Sequence, residues 1–180
     1  MIKNKFSFIL VVLFCTNMNA CASRTDETEQ NSAIIPASNT MSDFSFYIET
    51  TQAEYKLGDP VFVKATLMNH SPEQMQILIW GTPLERTFST DLFHVSKKGV
   101  VVPYIGRMIT RGVPKNSDYL SINPEKSLTT IIDISKGYSI KSPGTYTITM
   151  NPRYLSIRSE SANDNLLKAE SNTIVIQITE

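Results

Sequence analysis

Residues 61–68 have the sequence Val-Phe-Val-Lys-Ala-Thr-Leu-Met, in which small and branched apolar residues alternate with larger or polar ones. An alternation with period two is typical of a β-strand that buries one face. Turn-forming Gly, Pro and Asn residues separate it from similar stretches elsewhere in the chain. Those stretches lie at residues 44–48, 75–80, 91–95, 100–105, 128–134, 146–150 and 174–178. The body of the chain is therefore predicted to be all-β.

The strand pattern predicts an immunoglobulin-like β-sandwich of about seven to nine mostly antiparallel strands. Gly144-Thr145-Tyr146 places a tyrosine at the start of a late strand, directly behind a glycine turn. This is the sequence form of the tyrosine corner of immunoglobulin-like domains, with ordinary strand packing of Tyr146 as the alternative. The one helical candidate is residues 164–170, inside a polar connection that runs from 151 to 171.

The first 22 residues have the features of an export signal. Lys3 and Lys5 precede an apolar run at residues 6–15 that is too short to span a membrane comfortably. Two processing routes remain open: cleavage at the small residues around Ala20, or lipidation of Cys21 in a lenient bacterial lipoprotein box. We expect an exported protein of the periplasm or outer membrane, or a secreted one, whose membrane contact is limited to that lipid anchor.

The rest of the chain divides into a linker and one domain. Residues 23–42 are polar and aperiodic, which predicts a flexible linker, and residues 43–180 form the predicted sandwich domain. Cys15 and Cys21 are the chain's two cysteines, so the domain is expected to have no disulfide. The 17 basic residues equal the 17 acidic ones, so composition gives no reason to expect nucleic-acid binding.

The sequence contains no recognisable catalytic or cofactor motif. Its two histidines, His70 and His94, are far apart and belong to no His-Glu-x-x-His, which argues against zinc. There is no Gly-x-Ser-x-Gly of a hydrolase and no Gly-x-Gly of a phosphate-binding loop. We therefore predict a binding protein that is not an enzyme and has no cofactor.

The segment from 79 to 119 is the most distinctive part of the chain. It contains Trp80-Gly81-Thr82-Pro83-Leu84-Glu85, Asp91-Leu92-Phe93, Tyr104-Ile105-Gly106-Arg107, Arg111, Pro114 and Asp118-Tyr119. Together with Gly144-Thr145-Tyr146 and Ser171-Asn172, this pattern resembles the amino-terminal pro-domain of bacterial peptidyl-Lys metalloendopeptidases of the deuterolysin, or aspzincin, type. The resemblance covers roughly residues 44–180. Trp80 has an alternative role as a filler of the sandwich core.

The resemblance implies a role beside a protease rather than proteolysis. Proteases of this type carry a zinc-binding His-Glu-x-x-His after the pro-domain, and residues 1–180 contain no such motif. We therefore expect a protein that inhibits or chaperones a secreted aspzincin-type metalloprotease in trans. A structural or adhesive immunoglobulin-like module of the bacterial cell envelope is the alternative.

Two loops are expected to contact the partner. The first loop is the turn Thr82–Glu85, which Pro83 stiffens, so it would lose little conformational entropy on binding. Leu84 would supply apolar contact, and Glu85 would bring a carboxylate towards the catalytic zinc of the protease. The second loop runs from Arg107 to Asp118. Its cations Arg111 and Lys115 would suit the acidic specificity pocket of a protease that cuts next to lysine. The candidate interface residues are Thr82, Pro83, Leu84, Glu85, Arg107, Arg111 and Lys115.

Overall fold

The computed structural model describes residues 43–160 and 165–180, and these residues form a β-sandwich. The predicted signal segment (1–22), the linker (23–42) and Cys21 lie outside the described residues. Twelve strands are present in the described part: β1 Phe44–Thr50, β2 Glu54–Lys56, β3 Phe62–Asn69, β4 Met75–Leu78, β5 Phe93–Lys97, β6 Val100–Val101, β7 Tyr119–Ile122, β8 Ser127–Asp133, β9 Gly144–Met150, β10 Arg153–Ser159, β11 Asn165–Ala169 and β12 Thr173–Thr179.

The strands form three sheets, and all strand pairs but one are antiparallel. The sheet orders are β1-β3-β8, β11-β10-β4-β7 and β2-β12-β9-β5-β6. The exception is the parallel pairing of β2 with β12. Three short 3₁₀ turns, at Pro83–Glu85, Asn116–Asp118 and Ile134–Lys136, are the helical elements of the described residues. The all-β prediction is thus confirmed, and very short strands such as β2 and β6 raise the count above nine.

One hydrophobic core joins the three sheets. In β3, Val63, Ala65 and Leu67 are buried while Phe62 is exposed, which is the alternation that the sequence predicts. The buried side chains of all three sheets belong to a single cluster, so burial of apolar surface is the main force that holds the sheets together. The described residues include no cysteine, and their packing is achieved without a disulfide.

The sheet that contains β1 and the sheet that contains β12 are also joined by a polar contact. Asn172, directly before β12, accepts a hydrogen bond from the Ile48 amide through its Oδ1 at 2.8 Å. Its Nδ2 donates to the Ile48 carbonyl at 2.9 Å. A single side chain therefore satisfies both backbone groups of a β1 residue, as a neighbouring strand would do.

The tyrosine corner expected at Tyr146 is present. The Tyr146 side chain is buried, and its hydroxyl donates to the Ser142 carbonyl at 2.7 Å, four residues upstream. The Lys97 ammonium lies 5.6 Å from the centroid of the same ring. It also donates to the Pro143 carbonyl at 2.5 Å. The turn before β9 thus accepts one hydrogen bond from β9 and one from β5.

We expect Tyr146→Phe to lower the free energy of unfolding by about 1 kcal/mol, because it removes one hydrogen bond and leaves the packing of the ring unchanged. The melting temperature should then fall by about 4 °C. The matched control is Tyr154→Phe, at an exposed tyrosine of β10. Equal melting temperatures for the two variants would show that the corner contributes nothing to stability.

The region between residues 151 and 171 differs from the sequence prediction. Here β10 and β11 pair as a hairpin, with Leu155 opposite Leu167, where a polar connection with a helical candidate was expected. That expectation was wrong, because Leu155, Ile157 and Ala169 are buried against the rest of the core. This tertiary packing overrides the weak local preference of the segment.

Candidate functional site

Loop A, residues 79–90, connects β4 to β5 and contains the proline-stiffened turn. Pro83 is the first residue of a 3₁₀ turn, where its missing N–H costs nothing. The Thr82 hydroxyl donates to the Ile79 carbonyl at 2.6 Å and accepts from the Leu84 amide at 3.2 Å. Thr82 and Pro83 are buried, and Leu84 is half-buried against the core. Hydrogen bonds thus close the turn, and its first two residues are buried beneath the loop.

The Glu85 carboxylate is the centre of a hydrogen-bond network inside loop A. Its Oε2 accepts from the Gly81 amide at 2.8 Å and from the Ser89 hydroxyl. Its Oε1 pairs with the guanidinium of Arg111, from the second loop. The side chain is only 5% exposed. In this structure the protein itself occupies both oxygens, so a direct contact between the Glu85 carboxylate and a partner would require this network to open.

Loop B, residues 103–118, connects β6 to β7 and is attached to the sandwich at several points. Near its start, the Ile105 amide donates to the Gly137 carbonyl at 2.8 Å. In its middle, the Ile109 amide donates to the Ser89 carbonyl at 2.8 Å. The Arg111 guanidinium contacts Glu85 and also lies 5.0 Å from the centroid of the Trp80 ring. Loop B is consequently held in one shape although residues 105–115 have no regular secondary structure.

The outer surface of loop B is apolar and cationic. Met108 is 71% exposed and Val113 is 88% exposed, and Ile105 and Ile109 are exposed as well. Arg107 and Lys115 are exposed on the same loop. Large apolar side chains gathered on one exposed loop are typical of surfaces that bind another protein. The geometry therefore favours loop B as a contact surface.

An aromatic cluster lies beneath both loops and consists of Phe88, Phe93, Tyr104 and Tyr138. Neighbouring rings meet edge to face, with 5.5 Å between the centroids of Tyr104 and Tyr138 and 5.7 Å between those of Phe88 and Tyr138. The buried Tyr138 hydroxyl accepts from the Phe93 amide and donates to Asp91 Oδ1, both at 2.6 Å. Burial raises the pKa of Tyr138 well above its usual range, so the hydroxyl remains a donor. The loops thus share a rigid base.

Arg153 is a supporting residue that the sequence analysis missed. Its guanidinium donates to the Gly81 carbonyl and, through Nη2, to the Asp91 carbonyl at 2.8 Å. Burial lowers the pKa of Arg153. Because 72 residues separate Arg153 from Gly81, no local pattern indicates the contact.

The structure brings together some of the predicted interface residues. Glu85 and Arg111 pair with each other, and Thr82, Pro83 and Leu84 form the turn beside them. Lys115 lies at the start of the next turn, where its amide donates to Asp118 Oδ2 at 2.7 Å. Trp80, for which both core and surface roles were open, is half-buried and stacks on Arg111.

The described residues were also searched for metal and membrane features. Within residues 43–160 and 165–180, no group of three or more His, Cys, Asp or Glu side chains is placed to hold a metal ion. In the same part of the chain, no helix is long and apolar enough to cross a membrane. His70 instead contacts the Ser45 hydroxyl at 2.8 Å through Nε2.

Comparison with known proteins finds similarity to a protease. No protein-family model matches the chain. An extracellular protease of Aeromonas hydrophila is 28% identical over 121 residues, which cover 67% of this chain and 34% of the protease. The chain thus spans about a third of the length of the curated relative it matches.

Two solved structures illustrate how distant the structural likenesses are. The CARDB domain of a Pyrococcus furiosus protein is 11% identical with a TM-score of 0.34, covering 76% of this chain and 88% of that domain. A β-glucosidase from Erythrobacter marinus is 13% identical with a TM-score of 0.36, covering 76% of this chain and 15% of the enzyme.

Proposed function

We propose that this chain is an exported, non-catalytic β-sandwich protein that binds a secreted zinc metalloprotease in trans and keeps it inactive or assists its folding. The observation that carries the proposal is loop B, a long irregular segment that is fixed from beneath and displays apolar and cationic side chains to solvent. A pre-organised loop loses little conformational entropy on binding, and this favours tight binding of an inhibitor in the active-site cleft of a protease.

The similarity to the Aeromonas extracellular protease supports a protease-related role and an exported location. The resemblance to an aspzincin pro-domain adds a specific partner, a protease of that type. In this proposal Cys21 is lipidated and residues 23–42 connect the anchor to the domain, so that the protein remains at the periplasmic face of an envelope membrane.

The structure suggests separate roles for the residues of the two loops. Met108, Val113 and Lys115 are exposed and would contact the protease, with the Lys115 ammonium entering an acidic specificity pocket. Glu85 and Arg111 would act indirectly, since their ion pair holds loop B against loop A. This assignment replaces a direct contact between Glu85 and the catalytic zinc.

We expect the double variant Met108→Ala with Val113→Ala to weaken inhibition of an aspzincin-type protease, purified from the source organism, by about tenfold. Both side chains are exposed, so the melting temperature should change by no more than about 2 °C. Inhibition constants of the full-length wild type and variant would be compared in a peptide-hydrolysis assay.

The matched control is Val100→Ala, an equally exposed apolar residue on β6, outside loop B. Its inhibition constant should equal that of the wild type. If the double variant also matches the wild type, loop B is not the interface. If the wild type inhibits no such protease and has no effect on its refolding, the structural or adhesive module becomes the better assignment.

A further inference from the structure

A cleft of about 560 Å³ opens between Arg86 and Thr87 of loop A, the start of loop B and the end of β8. Cationic and apolar side chains share its walls: Arg86, Arg107 and Lys136 supply the charge, and the exposed Ile105 supplies most of the apolar surface, because Phe88 and Ile132 are almost fully buried. Its volume lies in the range that small-ligand sites commonly have. The combination is suited to a ligand that has one anionic group beside an apolar part.

The two arginines of the cleft are available to a ligand. Within the described residues, the structure gives the guanidinium groups of Arg86 and Arg107 no hydrogen-bond or ion-pair partner, whereas Arg111 and Arg153 are both engaged. The Lys136 ammonium lies 3.7 Å from Asp133 Oδ2, at the outer limit of an ion pair, and its side chain is largely exposed.

The backbone around the cleft is fixed. Arg86 ends the 3₁₀ turn with a φ of 59°, and its amide donates to the Pro83 carbonyl at 2.9 Å. A non-glycine residue in this left-handed region costs free energy, and such residues are concentrated at binding sites. On the opposite wall, a Cβ at Gly106 would lie 2.5 Å from the Tyr104 hydroxyl. A side chain added at this position would displace the Tyr104 ring.

The net charge of the cleft favours an anionic ligand. Asp133 also lines it, but its Oδ1 is committed to the Val61 amide, the Ser135 amide and the Ser135 hydroxyl. Three cations and one carboxylate leave a net charge of +2. The planar guanidinium groups of Arg86 and Arg107 can each bind a carboxylate through two parallel hydrogen bonds, and inorganic phosphate is the anion that would compete with it.

We propose that this cleft binds a carboxylate of a peptide, with Arg86 and Arg107 on the carboxylate and the neighbouring apolar side chain of the peptide against Ile105. The inference goes beyond the proposed function, because it requires a peptide with an accessible carboxylate and no protease. That carboxylate can belong to an acidic side chain or to the carboxyl terminus of the peptide.

The test is calorimetric titration of the full chain with three synthetic peptides. The first is acetyl-Leu-Glu-Leu-amide, the second is its glutamine analogue with a free carboxyl terminus, and the third is the glutamine analogue with both ends blocked. One of the two anionic peptides should bind at least about tenfold more tightly than the neutral one, and which of them does so identifies the source of the carboxylate. The affinity should also fall as salt is added.

Substitutions in the cleft then test whether the peptide binds there. Arg86→Gln and Arg107→Gln should each weaken binding of the preferred peptide by about tenfold. Lys126→Gln, directly before β8 and so at the end of the strand away from the cleft, should leave the affinity unchanged. Because Arg107 is an exposed loop residue, its substitution should not alter the melting temperature, so loss of binding there is not a folding defect.

Three results would overturn the proposal: no peptide binding by the wild type, equal binding of the neutral and anionic peptides, or unchanged affinity in both arginine variants. Inorganic phosphate that binds more tightly than either anionic peptide would overturn the carboxylate assignment. None of these measurements involves a protease, so their failure is distinguishable from failure of the proposed inhibition.

Discussion

Replacing Glu85 with glutamine is expected to lower the melting temperature by about 10 °C. The amide retains the shape of the side chain but offers one acceptor oxygen where the carboxylate offers two. The Gly81 amide, the Ser89 hydroxyl and the Arg111 guanidinium would then compete for that oxygen, and the new NH₂ group would face donors. Unpaired groups at a buried charged site cost about 2–3 kcal/mol, which corresponds to a shift of this size.

Two further variants separate the ion pair from the rest of the network. Arg111→Gln should cost less, about 1 kcal/mol, because the arginine is 31% exposed and Glu85 keeps its other two donors. Glu54→Gln, at an exposed position of β2, is the matched control and should have no effect. Thermal unfolding followed by circular dichroism would measure all three. A shift below about 3 °C for Glu85→Gln would show that the network adds little stability.

Adding one methyl group at Gly137 is expected to destabilise the domain by about 2 kcal/mol. A Cβ there would lie 2.7 Å from two atoms of the Phe88 ring. The ring cannot withdraw freely, because the rings of Phe93, Tyr104 and Tyr138 surround it. Overpacking of this kind costs about 1–3 kcal/mol. The backbone of Gly137 suits alanine, with a φ of −107°, so a smaller entropic gain opposes the clash.

The control for Gly137→Ala is Gly112→Ala in loop B, where no atom lies within 4 Å of the added Cβ. That variant should be as stable as the wild type or slightly more stable. If the clash with Phe88 is the cause, the double variant Phe88→Leu with Gly137→Ala should be more stable than the sum of the two single effects predicts. Additive effects measured by chemical denaturation would refute this explanation.

Most of the strands that sequence reasoning located bury one face, although β6, which it extended to residue 105, covers only Val100–Val101 and is exposed. In β3 and β9 the burial of alternate residues is nearly complete, so a period of two is visible in the residue types. In β7 burial does not alternate from residue to residue, because Tyr119 and Ile122 are buried while Leu120 is exposed. An apolar residue on the solvent face removes the alternation, and β7 could not be identified from the sequence.

Sequence reasoning could select charged residues for the candidate site, but it could not predict their burial or their partners. Sequence reasoning placed Glu85 and Arg111 at the candidate interface, but it did not pair them, since 26 residues separate the two. Without a structure, charged side chains such as these are expected to be exposed. Only the tertiary approach of loop B to loop A shows that one carboxylate is buried and committed to the protein itself.

The bond between Ile48 and Asn172 has a kinetic consequence. It joins residues 124 positions apart, and β12 lies between β2 and β9 in its sheet. The native topology therefore cannot be completed until β12 has been synthesised and has paired with a strand from the beginning of the domain. Domains dominated by such non-local pairings fold in about milliseconds to seconds, more slowly than helical bundles do. A chain that folds late stays unfolded for longer, and the export that we propose for this chain would require an unfolded chain.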